Sequence, residues 1–209
     1  MPRLIKVRPT KIELIKLKRR LSLAQRVQKI IKDRLSILTL EFLQIARETV
    51  EAKKRLLEDF RQFYRALSIA SGYHGYIALE KELAASERDL EITSGLRNVA
   101  GVRLPSFELQ EVNRTVRGYD LVDTSSWLDQ AAQLAEKCVE DIVTLAELQS
   151  SLELLGWEIS RTKRIVNALE YLILPSLRAT IKYLNMKFEE REREEKSRLK
   201  RVKVLLEQR

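Results

Sequence analysis

Two side chains in this sequence have the intrinsic chemistry of a nucleophile or metal ligand, the single histidine His74 and the single cysteine Cys138. One of each makes neither a zinc-ligand set nor a Cys/His couple. A lone cysteine also excludes an internal disulfide, and with it a disulfide-dense secreted scaffold. His74 stands in Ser71-Gly72-Tyr73-His74-Gly75, a corner sequence, and reads as a turn histidine. Cys138 falls on an apolar stripe and reads as a small core residue. The 30 Asp and Glu residues are plentiful. Acid–base work would require two of them to share a pocket, which long exposed helices do not offer. No G-x-x-x-x-G-K-[ST] or G-x-G-x-x-G stretch is present to cradle phosphate. The expectation is a chain with no catalytic, cofactor-binding or metal-binding residue.

Charge is the remaining chemical signal. The 209 residues carry 39 Lys and Arg, for a net charge of +9. Residues 1–20 hold eight of these cations, Arg3, Lys6, Arg8, Lys11, Lys16, Lys18, Arg19 and Arg20, against Glu13. Residues 186–209 hold nine basic and six acidic side chains. The excess is therefore a property of the two chain ends, either solubilising or made for an acidic partner. A nucleic-acid-associated coiled coil is one alternative, with affinity that falls steeply with salt. Against it, the basic ends lack interleaved aromatics, and Trp127 and Trp157 lie elsewhere.

The elements that must position these ends are legible from the helix breakers. Between Pro9 and Gly72 lie 62 residues without Gly or Pro. Five of the six glycines and Pro105 fall in the middle segment, and after Gly118 only Gly156 and Pro175 interrupt the chain. This predicts a long helix over 1–71, a mixed insert over 72–124 and a second long helix over 125–209. Heptads counted from Leu14 place Leu14, Leu17, Leu21, Ile31, Leu35, Leu38, Phe42 and Ile45 on one seam, and 14 of 17 a and d positions are apolar. The exceptions are Gln28, Thr49 and Asp59. A helix of 62 residues would span about 93 Å, and needs a partner along its length.

The second helix supplies one. Asp123-Thr124-Ser125-Ser126, with Asp129, is a helix start. Apolar residues follow at Ala135, Cys138, Ile142, Leu145 and Leu148, with a slip near Leu145–Leu148. They continue through Leu152, Ile159, Val166, Leu169 and Ile173. Pro175 lacks an N–H and predicts a kink. In the insert, Tyr76–Arg88 has helical character. Leu90–Thr93 and Val99–Leu104 read as the strands of a β-hairpin turning near Arg97-Asn98. An isolated ribbon is marginal in water, so it should pack on the helices or on another subunit. The fold class is all-α dominated, a long antiparallel two-helix coiled coil with a small insert containing a short β-hairpin. No apolar run approaches the roughly 18 residues of a membrane span. The N-terminus lacks the apolar stretch of a secretory signal. The expectation is a soluble or peripheral protein.

Three stretches carry a resemblance. The first is Pro9-Thr10-Lys11-Ile12-Glu13-Leu14-Ile15-Lys16-Leu17-Lys18-Arg19-Arg20-Leu21. The second is Val166-Asn167-Ala168-Leu169-Glu170, with Pro175 and the later Arg198-Leu199-Lys200-Arg201. The third is Asn98-Val99-Ala100-Gly101-Val102-Arg103-Leu104-Pro105. Together they resemble the D-type subunit of the vacuolar/archaeal-type rotary ATPases, the central rotor shaft. Departures include Arg8 before Pro-Thr, Val27-Gln28, Ile165 and Lys196-Ser197.

The resemblance implies a non-catalytic role without a cofactor. The chain ends would enter the head built of catalytic subunits A and B. Lys11, Lys16, Lys18, Arg19, Arg20, Arg198, Lys200 and Arg201 would bear on acidic loops there. The insert and middle would hold the small F-type subunit of the stalk and dock on the funnel-shaped C- or d-type subunit of the membrane ring. The resemblance implies no nucleic-acid partner, a location on the cytoplasmic face of a membrane, and membrane association only through the complex. A coiled-coil chaperone of the prefoldin kind is the other alternative, but these terminal segments are charged where such a chaperone would open an apolar seam.

Overall fold

A computed structural model describes residues 5–85, 90–111 and 125–207. The expected features at Arg3, Arg88, Gly118, Asp123, Thr124 and Gln208 lie outside these residues. In chain order come α1 (Lys11–His74), α2 (Tyr76–Ala85), β1 (Leu90–Val99), β2 (Val102–Glu111) and α3 (Ser126–Ala168). A π-helical turn over Leu169–Ile173 and α4 (Leu174–Glu207) follow. Two long helical stretches thus flank a two-stranded antiparallel hairpin.

Helix α1 starts where a capping box would put it. The Glu13 N–H donates to Thr10 Oγ1 at 3.4 Å, and the Leu14 N–H to the Thr10 carbonyl at 3.2 Å. It runs 64 residues to His74 and stops at Gly75, whose φ of 77° is costly for any residue with a Cβ. Helix α3 begins just after Ser125, whose carbonyl accepts the Leu128 N–H at 2.9 Å.

The chain divides into two compact units, residues 1–36 with 159–209, and residues 37–158. Within each, contacts across the helix pair descend on one helix as they ascend on the other, so the helices are antiparallel. In the first unit Leu17 packs with Leu177 and Leu184, and further along α1 Lys32 reaches Glu170. In the second, the Phe42 ring lies beside Gly156, Asp59 faces Asp141, and Ala70 packs with Leu79 and Leu128. Leu17, Leu38, Ile45, Leu155, Val166 and Leu184 are buried. Full burial of each leucine is worth about 1.5–3 kcal/mol relative to exposure.

The three polar heptad positions of α1 each find a partner. Gln28 Nε2 donates to Glu170 Oε2 at 3.3 Å. Thr49 Oγ1 donates to the Ile45 carbonyl at 2.7 Å, within its own helix. Asp59 hydrogen-bonds Asp141. Ile142, assigned to the apolar stripe by its spacing, is 43% exposed, and Asp141 turns inward instead.

The seam also differs at Ile173, which is 43% exposed, whereas Leu174 is buried. The reason is the π turn. Its wider winding accommodates one extra residue, and the Leu174 N–H closes it on the Leu169 carbonyl. Pro175 follows at once. In a regular α-helix its ring would meet the carbonyl four residues back, and the widened turn lies where that carbonyl sits.

The hairpin is longer than expected and turns elsewhere. Leu90 pairs with Glu111 and Val99 with Val102, so Ala100-Gly101 is the two-residue turn. The expected strand Val99–Leu104 therefore straddles the turn. Ala100 has φ 48° and Gly101 φ 84°, the positive pair that a type I′ turn requires. Asn98 Oδ1 accepts the Gly101 N–H at 3.0 Å, which explains why the turn signal lay near Asn98. Pro105 is tolerated because a two-stranded sheet is all edge. The ribbon packs within its unit: Leu104 is buried, and the Phe107 N–H donates to Glu147 Oε2 of α3 at 2.9 Å.

Two outcomes follow for stability. Ala100 occupies left-handed backbone at a cost of about 1 kcal/mol. Ala100→Asn should therefore stabilise the hairpin by a similar amount, read as slower amide exchange across β1 and β2. The Asp141 carboxyl is pushed above the ordinary range by burial first, then by its hydrogen bond to Asp59 and the charges of Asp59 and Glu140, with Arg55 opposing. The folded chain thus holds this proton more tightly than the unfolded chain. The contribution of Asp141 to stability is full below the ordinary carboxylate range and is lost as pH rises through the elevated value. Asp141→Asn should raise the melting temperature at neutral pH, leave it little changed in acid, and so flatten the pH profile of thermal unfolding.

Candidate functional site

Among the described residues, no group of three or more His, Cys, Asp or Glu side chains is placed to hold a metal ion. His74 accepts the Ser125 N–H on Nε2 at 2.9 Å, tying the end of α1 to the start of α3. The Cys138 thiol is pushed up by its burial, then by the nearby Asp59 and Asp141 carboxylates. It therefore stays protonated, a weak nucleophile. The candidate surfaces are faces and ends of helices.

The first surface is basic. Lys11, Lys16, Lys18, Arg19 and Arg20 are all exposed on the opening turns of α1, while Leu17 between them is buried. This follows from helical geometry: one residue per turn faces the partner helix and the others face out. Lys16 Nζ is 2.9 Å from Glu13 Oε1. Arg198, Lys200 and Arg201 are exposed on α4, and Arg198 lies 4.0 Å from Glu194. All eight belong to the first unit, in two groups. Residues 5–9 run as an extended strap along α4. The Ile5 N–H donates to Thr180 Oγ1 at 3.1 Å, Val7 packs on the Leu17, Leu177 and Leu184 cluster, and Arg191 Nη1 donates to the Pro9 carbonyl at 3.5 Å. Every side chain from Glu189 to Glu207 is exposed.

The second surface is apolar and was not noticed in the sequence. Leu43, Val50, Leu57 and Tyr64 recur every seven residues in the second unit, and each is at least half exposed. They occupy a heptad position turned away from the a and d seam. Exposed Arg47, Lys54 and Arg61 alternate with them, and Arg61 lies 3.6 Å from Glu58. Tyr64 is buttressed by the Phe60 and Phe63 rings, with centroids 6.1 and 5.4 Å away. The signal was available as a second period of seven, hidden because only the strongest seam was counted.

The third surface is a groove of about 520 Å³ between the end of α1 and α2. Leu67, Ser68 and Ser71 line one wall, and Tyr76, Leu79 and Leu83 the other. Tyr73, Tyr76 and Ile77 beside it are more than 70% exposed. Contiguous apolar surface of this kind marks places where another molecule sits. No helix among the described residues is long and apolar enough to cross a membrane.

Comparison with known proteins gives these surfaces a context. Residues 13–204 match the family model described as the ATP synthase D subunit. The chain is 41% identical to the A-type ATP synthase D subunit of Pyrococcus furiosus, over 100% of this chain and 99% of that protein. It is 37% identical to the corresponding protein of Methanopyrus kandleri, covering 96% and 87% of the two chains. It is also 37% identical to that of a Desulfurococcus species, over 100% and 99%. The match spans both long helices and the hairpin between them, and the chain belongs to the family of ATP synthase D subunits.

Proposed function

We propose that this chain is the central stalk of an A/V-type rotary ATP synthase, a non-catalytic shaft that couples ATP turnover in the head to ion movement through the membrane ring. The observation that carries the reading is the family match through both long helices, residues 13–204, which coincide here with a helix pair zipped on buried leucines. In this reading ATP is made or hydrolysed by head subunits A and B, and the basic ends turn inside them. Exposed ion pairs are individually worth about 0–1 kcal/mol, weak enough to break at every step. Lys11, Lys16, Lys18, Arg19, Arg20, Arg198, Lys200 and Arg201 would form those passing contacts. The stalk lies on the cytoplasmic face and meets the membrane only through the complex.

The stripe of Leu43, Val50, Leu57 and Tyr64 would seat the small F-type subunit. Exposed Glu51 and Glu58 flank the stripe together with Arg47, Lys54 and Arg61, so the partner face would meet charges of both signs. The groove between α1 and α2 would meet the funnel-shaped C- or d-type subunit.

Two experiments test this. Leu38 is fully buried, and Leu38→Asp sets a charge in the seam. In a reconstituted complex of verified composition, ATP-driven ion uptake per ATP hydrolysed should collapse. Preserved coupling in that complex would defeat the shaft reading. Val50→Asp with Leu57→Asp alters exposed side chains only. It should leave the melting temperature unchanged and weaken binding of the purified F-type subunit by roughly tenfold or more. Unchanged affinity would move that partner elsewhere.

A further inference from the structure

The C-terminal helix carries one residue more than its packing needs. Ile159, Thr162, Val166 and Leu169 come round at alternating intervals of three and four, all buried or half-buried. Leu174, Leu177, Ile181, Leu184 and Phe188 do the same beyond the π turn. Each series is a regular heptad seam. Between them, Val166 and Leu174 stand eight residues apart where a heptad allows seven. The π turn over Leu169–Ile173 takes up the difference.

The turn is unlike the helix on either side. It contains no buried residue, and Tyr171 and Leu172 are 72% and 69% exposed. Apolar packing reaches it only at its first residue, the half-buried Leu169. Its tie to α1 is polar: Glu170 Oε2 lies 2.7 Å from Lys32 Nζ and accepts from Gln28 Nε2 at 3.3 Å. Gln28 is a polar residue at a heptad a position, a placement that fixes register at some cost in stability.

We propose that Leu169–Ile173 is a one-residue register joint, whose extra residue lets the α3 seam and the α4 seam both face α1, and that Glu170 against Lys32 and Gln28 is the pin that sets it. The joint needs a sparsely packed turn, an intact seam on both sides and a breakable tie. Pro175 holds it in place, because an α-helical return of the turn would drive the proline ring against the Tyr171 carbonyl. The joint is a property of the isolated chain and does not depend on the stalk reading.

Amide hydrogen exchange on the purified full-length chain tests the pin. Glu170→Gln keeps the side-chain shape and removes the charge facing Lys32. Exchange over residues 169–174 should quicken by roughly two- to fivefold, with the amides of Val166 and of Leu177–Leu184 unchanged. A uniform change across the helix, or none, would overturn the pin. Deletion of Leu172 together with Pro175→Ala tests the joint. If the turn houses a dispensable residue, this variant melts no lower than Pro175→Ala alone and its amides at the junction exchange more slowly. If it melts as low as a chain lacking Lys163, whose loss shifts the seam inside a regular stretch, the turn is no register joint.

Discussion

Two long helices stay zipped only while their apolar positions return to the same side in phase. Every other feature depends on that constraint. An α-helix drifts against a seven-residue repeat, so pairing over many turns has to bend the helices around each other or adjust the count. This chain does the second between Val166 and Leu174. The extra residue sits in a π turn, the turn sits against a proline, and the side chains it turns outward are not needed for packing. Adjustment, breaker and unburied surface coincide because each makes the others less costly.

Polar groups on the inner side serve the same end in two ways. Gln28 and Lys32 meet one carboxylate, a charge-assisted contact across the pair. Asp141 meets Asp59, a like group, and burial first, then that contact, favours a proton retained on Asp141. The first arrangement fixes which residues oppose each other at neutral pH. The second is most comfortable in acid and loosens as the proton leaves. Both units rely on the same leucine and alanine burial.

Much of this was legible in the sequence, and the misses have physical causes. The first long helix could be counted because 14 of 17 positions kept one period, and the start of the second followed from Ser126 with Asp129 three residues on. The seam went astray at Ile173 because Leu172, Ile173 and Leu174 are all apolar. Intervals of three and four can be threaded through such a run with or without an extra residue. The hairpin turn was displaced because Ala100-Gly101 lacks the usual Asn at its first position, and Asn98 attracted the assignment. Asp141 was hidden by Ile142 beside it, since hydrophobicity alone does not know that a carboxyl waits on the facing helix. The basic ends were visible at once from the eight cations of residues 1–20 and the nine of residues 186–209.

In the stalk reading, the outer stripe of α1 lets one helix serve an inner and an outer partner. Its inner seam is uninterrupted by charge except at Asp59, which suits permanent burial against the same chain. Its outer stripe pairs Leu43, Val50, Leu57 and Tyr64 with Arg47, Lys54 and Arg61. Exposed Glu51 and Glu58 stand on the same side, and Arg61 already lies 3.6 Å from Glu58, so the apolar ridge rather than net charge distinguishes this stripe. In the stalk reading, charges of both signs around the ridge keep the free chain soluble, and the ridge itself supplies the contact with the companion subunit.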